Sequence, residues 1–243
     1  MNRVHNGDIG ELVGGQCYWN WGQMFSGWGY KWNPEKSDME NQIRRWVFYT
    51  WLSGDHICEQ HVHNLDVINW AYKTHPVEAI GVGGRQVRTG EGTGNVYDHF
   101  AVEFKYPNGA RIMSMCRQMD GTEPRVAERV VGTEGYADLD DSGQGVISGS
   151  KAYRYEAAPP NPYEQEHIEL IKSIREGKPI NDGEQVAIST MTGILGRMSA
   201  YTGRAIKWDW VMEKSQLDLS PAKYEFGHNP VDAVAVPGVT KLD

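Results

Sequence analysis

VYDHFAVEFKYPNGARIMSMCRQM, residues 96 to 119, decides the fold class. Two runs rich in β-forming residues flank Pro107-Asn108-Gly109, the turn signal of a hairpin. The same period extends outward. VEAIGVGGRQV precedes the pair, and RVAERVVG, YADL, GVISG and KAYRYE follow it, with turns at Gly132-Thr133-Glu134-Gly135 and Ser142-Gly143-Gln144-Gly145. Consecutive strands joined by short turns predict a mainly antiparallel sheet. Upstream, LVGGQCYW (residues 12 to 19) reads as a further strand that enters an aromatic, Gly-rich loop, WNWGQMFSGWGYKWNP.

Helices bracket this meander. Ser37 opens S-D-M-E, a capping box in which Glu40 would reach back, and predicts a helix to about Leu52. Ser53-Gly54 breaks it from a second helix, about 55 to 72. Asn161-Pro162-Tyr163-Glu164 starts a helix that stops at Gly177, and Asp182 caps another that runs to about Thr202-Gly203. After Lys214, Pro221, Gly227, Pro230 and Pro237 predict irregular chain. The expected architecture is one α+β domain over residues 1 to 214, an open sheet with helices on one face, followed by an irregular tail from 215 to 243.

Composition narrows the partners. A net charge of −8 opposes nucleic-acid binding, which needs clustered Lys and Arg. The longest apolar run, Trp46 to Leu52, is too short to cross a bilayer. Cys17, Cys58 and Cys116 form no C-x-x-C pair, which argues against a zinc ribbon or disulfide scaffold and favours a reducing, cytoplasmic setting. Of 9 Trp, seven fall before residue 71, and those of the loop, Trp21, Trp28 and Trp32, are candidates for stacking on sugar faces.

The chemistry concentrates in GDHICEQHVHNLDVINWA, residues 54 to 71. On one continuous helix Asp55, Glu59 and His63 would share a face, with Asp66 beside them, while His61 would project to another side. An imidazole flanked by carboxylates has the parts for general acid–base work. A merely solvated polar face is the competing reading. A zinc site is a third, although the spacing is not H-E-x-x-H. The acid–base reading expects His61→Ala to be close to neutral.

Five segments in order resemble the C-terminal domain of the glucose–fructose oxidoreductase / inositol dehydrogenase / MocA-type oxidoreductases. They are GDIGELVGGQCYW, EQHVHNLDVINW, VVGTEGYADL, YEQEHIELIKSIREGKPIND and GRMSAYTGRAIKWD, and they span nearly the whole chain. EQHVHNLDVINW is similar to the family's catalytic helix, usually D-x-x-x-H-x-x-D. The resemblance implies that His63 exchanges a proton with a substrate hydroxyl and that Glu59 stands where the family has aspartate. It places Asp66 at the following acid and His167 at a histidine of the first closing helix. The implied substrate is a sugar, sugar derivative or cyclitol, and the implied cofactor is NAD or NADP, bound by a Rossmann domain with a G-x-G-x-x-G turn.

This chain carries no such turn; Gly81-Val82-Gly83-Gly84 lacks the helix and downstream acid. The expectation is therefore a substrate-binding and oligomerising half, inactive alone, whose Rossmann domain is missing from this chain. Other readings are a non-catalytic carbohydrate-binding or assembly module, or a hydrolase or lyase that uses transient sugar oxidation.

Overall fold

The computed structural model describes residues 1–23, 30–90, 92–140 and 142–242. A short helix, α1 (Asn2–His5), leads into β1 (Leu12–Trp21). Next come α2 (Asp38–Arg44), a 3-10 turn (Trp46–Phe48), α3 (Thr50–Ser53), α4 (His56–Glu59) and α5 (Val62–Tyr72). The meander is β2 (Glu78–Gly84), β3 (His99–Lys105), β4 (Arg111–Gln118), β5 (Arg125–Gly132), β6 (Gly135–Asp140), β7 (Gly145–Gly149) and β8 (Tyr153–Arg154). The chain closes with α6 (Pro162–Glu176), α7 (Gly183–Thr202), β9 (Ile206–Lys207) and α8 (Trp208–Lys214).

The strands form one sheet in the order β8-β7-β6-β5-β1-β4-β3-β2-β9. All pairings are antiparallel except β1 with β4. That one parallel pair matters for the site, because it brings Trp21 and Gln118 side by side at the same end of the sheet. Strand alternation sorts the faces. Phe100, Val102, Phe104, Ile112 and Cys116 are buried on the inner face, where α7 crosses β2 and β3 and α5 crosses β1 and β5. No helix among the described residues is long and apolar enough to cross a membrane.

Both upstream helices are shorter than their patterns suggest. Ser37 caps α2 as expected, accepting from the Glu40 backbone at 3.2 Å, but the Glu40 carboxylate turns outward to Lys36 and Arg44 instead of closing the box. The expected run to Leu52 breaks at Arg45, whose guanidinium reaches out to the Gly92 and Tyr30 carbonyls. The Asn95 side chain then caps α3 by accepting from Thr50 N at 3.0 Å.

The expected helix 55 to 72 is two pieces. His61 N donates to His56 O at 3.0 Å, a five-residue turn of π type that inserts Gln60 between α4 and α5. Asp55, before α4, sits at φ 72, the left-handed region that costs a non-glycine residue strain energy. At the other end of the chain, Asn181, not Asp182, bonds the start of α7.

The tail has no helix or strand, yet it is tied down. Gln42 and Asn229 exchange two hydrogen bonds, Tyr97 donates to the Ala235 carbonyl, and Val234 and Ala235 pack on the core.

Candidate active site

Glu59 ends α4 and His63 opens α5, at the corner where the C-terminal ends of β1 and β4 emerge. Gln118, fully buried on β4, donates from Nε2 to Gln60 Oε1 at 2.8 Å and to Glu59 Oε1 at 3.4 Å. Its own carbonyl accepts from the buried Arg88 guanidinium, which also donates to the Tyr97 carbonyl. Burial pushes the Glu59 carboxyl up to about 7; the Gln118 hydrogen bond and Arg88 oppose the rise, and Asp55 adds to it. His63 is exposed, its ring tilted over Trp19 with centroids 5.9 Å apart. The open side of the corner therefore holds an accessible imidazole, an indole floor and a carboxyl that titrates near neutrality. This is the equipment of proton transfer to or from a hydroxyl.

The buried side of the same stretch does different work. Asp55 has no exposed surface and accepts four hydrogen bonds, from His56 N and Nδ1, Tyr97 N and the Tyr201 hydroxyl. Burial would raise its carboxyl, but the bonds from His56, Tyr201 and Tyr97 hold it below the usual range. It does not line up with Glu59, four residues on in the same piece, because its left-handed backbone turns the side chain inward to His56, Tyr97 and Tyr201.

His61 is also fully buried, with Nδ1 3.0 Å from Asn64 Oδ1 and Nε2 2.7 Å from Ser114 Oγ. The carbonyl of Asn64 can only accept, so Nδ1 carries the proton and Nε2 accepts from Ser114. Burial drives this imidazole down to about 3, so it is neutral. His61 points elsewhere, as expected. It is also a core residue, so a neutral His61→Ala substitution is not supported.

The remaining candidates separate. Trp21 shares the corner through its register with Gln118. Asp66 is turned away from it and holds α7, accepting from Ser189 Oγ at 2.6 Å and from Gln185 Nε2. Both carboxylate oxygens serve a helix–helix link, which favours a structural part for this acid over contact with substrate. His167 lies exposed on α6, bonded to the Tyr163 carbonyl one turn back, and shares no bond or ring contact with His63 or Glu59. Trp32 packs beside Gly92 in another loop. Trp28 lies outside the described residues. Among the described residues no three His, Cys, Asp or Glu side chains gather as a metal set.

Two site residues escaped the sequence reading. Gln118 stands in phase with buried Ile112, Ser114 and Cys116, and Glu128 in phase with Val126 and Val130. A polar residue on the apolar phase of a strand was the available signal.

Comparison with known proteins identifies the family and the fold. The profile of the GFO/IDH/MocA C-terminal domain matches residues 2–138, more than half of the chain. No curated protein sequence matches. Among solved structures, a putative oxidoreductase from Thermotoga maritima superposes with a TM-score of 0.64 at 16% identity, over 85% of this chain and 58% of that one. An aldose–aldose oxidoreductase from Caulobacter crescentus gives 0.65 at 17%, over 85% and 58%. Levoglucosan dehydrogenase in complex with NADH and levoglucosan gives 0.64 at 14%, over 85% and 61%. The chain thus spans about three-fifths of the length of these structures, and at such identities the likeness is one of fold. The profile match settles the lineage: the chain belongs to the family of GFO/IDH/MocA C-terminal domains.

Proposed function

We propose that this chain is the substrate-binding half of an NAD(P)-dependent oxidoreductase acting on a sugar, sugar derivative or cyclitol. The exposed His63 imidazole over Trp19, with the near-neutral Glu59 carboxyl one turn earlier, carries the reading. In it His63 holds the reacting hydroxyl and takes its proton, Glu59 orients the imidazole, and Gln118 with Arg88 fixes Glu59. Solved relatives that bind levoglucosan with NADH, or bear the name aldose–aldose oxidoreductase, support the substrate class.

Among the described residues, the glycine cluster Gly81-Val82-Gly83-Gly84 does not fit the dinucleotide. Gly81 and Gly83 lie inside β2, where a Cβ would come within 2.9 Å of Val102 and 2.7 Å of the His99 carbonyl. They permit close strand packing and form no strand-to-helix turn that could cradle phosphate. The cofactor belongs to a further, Rossmann part of the complete protein, and this chain alone is inactive. The test is turnover of the complete protein bearing His63→Ala, with sugars and cyclitols as substrates. Activity equal to that of the unsubstituted protein would reject the assignment.

The outer sheet face supports self-association. Ile80, Val82 and Met113 project from it with 51, 69 and 41% of their surfaces exposed. An apolar sheet face of this kind is covered in stable proteins, and we assign it to a second copy. Light scattering at micromolar concentration should give a dimer or tetramer, and Val82→Asp should shift it to monomer.

A further inference from the structure

The corner continues along α5. Residues 63, 67 and 70 share one face of that helix. Val67 and Trp70 form one wall of a groove of about 510 Å³, whose opposite wall comes from β5 to β8 through Leu139, Ile147 and Tyr155. From His63 to Trp70 the helix rises about 10 Å, enough for more than one sugar ring in line.

Arg3, Asp138 and Glu128 are the charged residues that line this groove, and Glu128 is the buried one. Glu128 pairs with Cys17 in register, two positions from Trp19, and Asn64, next to His63, donates to its Oε1. Only 8% of the residue is exposed, and its Oε2 has no partner among the described residues. Burial raises this carboxyl to about 7, so it can both donate and accept near neutrality. Trp70 is 49% exposed at the far end, and Tyr155 lines the groove with it. Tyr153 is already covered by Arg3, whose guanidinium lies 3.9 Å from the ring centroid.

Oε2 is not sealed from solvent, so water reaches it from the groove, and a ring hydroxyl can take that water's place. The C–H face of a sugar ring suits an exposed indole. An acyl chain or apolar peptide would leave Oε2 facing no donor. We propose that the groove is a second sugar subsite, so that the ligand is a disaccharide, oligosaccharide or glycoside. Its reacting ring sits at His63, and its next ring lies on Trp70 with one hydroxyl on Glu128. This inference rests on the reading of His63 as the oxidation site.

Calorimetric titration of this chain with glucose, cellobiose, N-acetylglucosamine, chitobiose and octyl glucoside tests it. At least one disaccharide should bind tenfold or more tightly than its monomer. Trp70→Ala should abolish that gain and Glu128→Gln should cut it severalfold, while His63→Ala preserves it. Neither tested position threatens folding, since Trp70 is half exposed and Glu128→Gln keeps shape. Equal binding of monomer and dimer would overturn the subsite, as would a gain that survives Trp70→Ala. Octyl glucoside binding as tightly as the best disaccharide, unaffected by Glu128→Gln, would replace it with an apolar occupant. Absence of all sugar binding would overturn the subsite alone, because the oxidoreductase reading is judged by turnover of the complete protein.

Discussion

His61 and His63 stand two positions apart at the start of α5 and live in opposite surroundings. The buried side of the stretch, Asp55, His56 and His61, is saturated with hydrogen bonds from the core. The open side, Glu59 and His63, offers its titratable atoms to ligands from a ring contact and a single long amide bond. Side-chain chemistry is the same on both sides. What separates structure from function here is backbone geometry: the left-handed Asp55 and the π-type turn at Gln60 send alternate polar residues to opposite sides of one helical layer.

The largest expected effect lies on the open side. His63→Ala should lower turnover of the complete protein about a hundredfold or more, near 2.7 kcal/mol of transition-state stabilisation, the scale of a lost acid–base group. Its melting temperature should hardly move, because an exposed ring contributes little packing. His61→Ala should show the reverse. It removes the bonds that the Asn64 carbonyl and the Ser114 hydroxyl make to the imidazole and opens a cavity under α5, a loss of about 3 kcal/mol in unfolding free energy. Denaturant unfolding measures it. If both variants lost stability equally and activity equally, the division of the stretch into two sides would fail.

That division was only partly legible in the sequence. Strand runs and their turns showed the sheet, because period and turn chemistry are local properties. Its one parallel pairing, β1 with β4, was not legible, since it joins strands separated by the whole helical segment. The histidine–carboxylate motif was visible as a pattern, with Glu59 at the end of α4 and His63 in the first turn of α5. Spacing failed for Asp55, because periodicity assumes helical backbone there, and its left-handed φ of 72 turns the carboxylate inward. Spacing left open two parts for Asp66, structural or at the substrate. A carboxylate three residues from His63 looks like part of the same face until Ser189, 123 positions away, is seen to donate to it. Gln118 and Glu128 were missed for the opposite reason: a polar residue in the buried phase of a strand was read as ordinary strand chemistry.

The two sides should also titrate in opposite directions. Glu59 and Glu128 are raised by burial from 4.5 to about 7, so the folded protein keeps protons that the unfolded chain releases. Their contribution is full below pH 4.5 and is lost as pH rises through 7. His61 is lowered by burial from 6.5 to about 3, so its contribution is full above pH 6.5 and is lost as pH falls toward 3. Stability measured by urea unfolding should therefore peak near pH 4.5, because above it the two carboxyls lose more than the one imidazole gains. Glu59→Gln should flatten the alkaline limb and leave the acid limb unchanged. An unchanged alkaline limb would show that Glu59 is ionised and solvated at neutral pH, and the corner would lose its proton-holding carboxyl.

The smallest effect concerns the acid whose part the motif left open. Asp66 accepts from Ser189 and Gln185, and these bonds tie α5 to α7 beneath the corner. Asp66→Ala removes them, but the site is partly exposed, so water can satisfy the two donors left behind. The cost should be about 1 kcal/mol, a drop of roughly 2–4 °C in melting temperature for a domain of this size. If the carboxylate serves only this link, KM for the sugar should stay within about twofold of the unsubstituted protein, because no substrate contact is lost. Turnover should fall slightly as α5 loses this tie, and Asp66→Asn, which keeps one acceptor oxygen for Ser189, should recover most of both losses. A rise in KM of about tenfold in Asp66→Asn with an unchanged melting temperature would return this carboxylate to the substrate side, and the boundary between the two sides would then run through α5 instead of through Gln60.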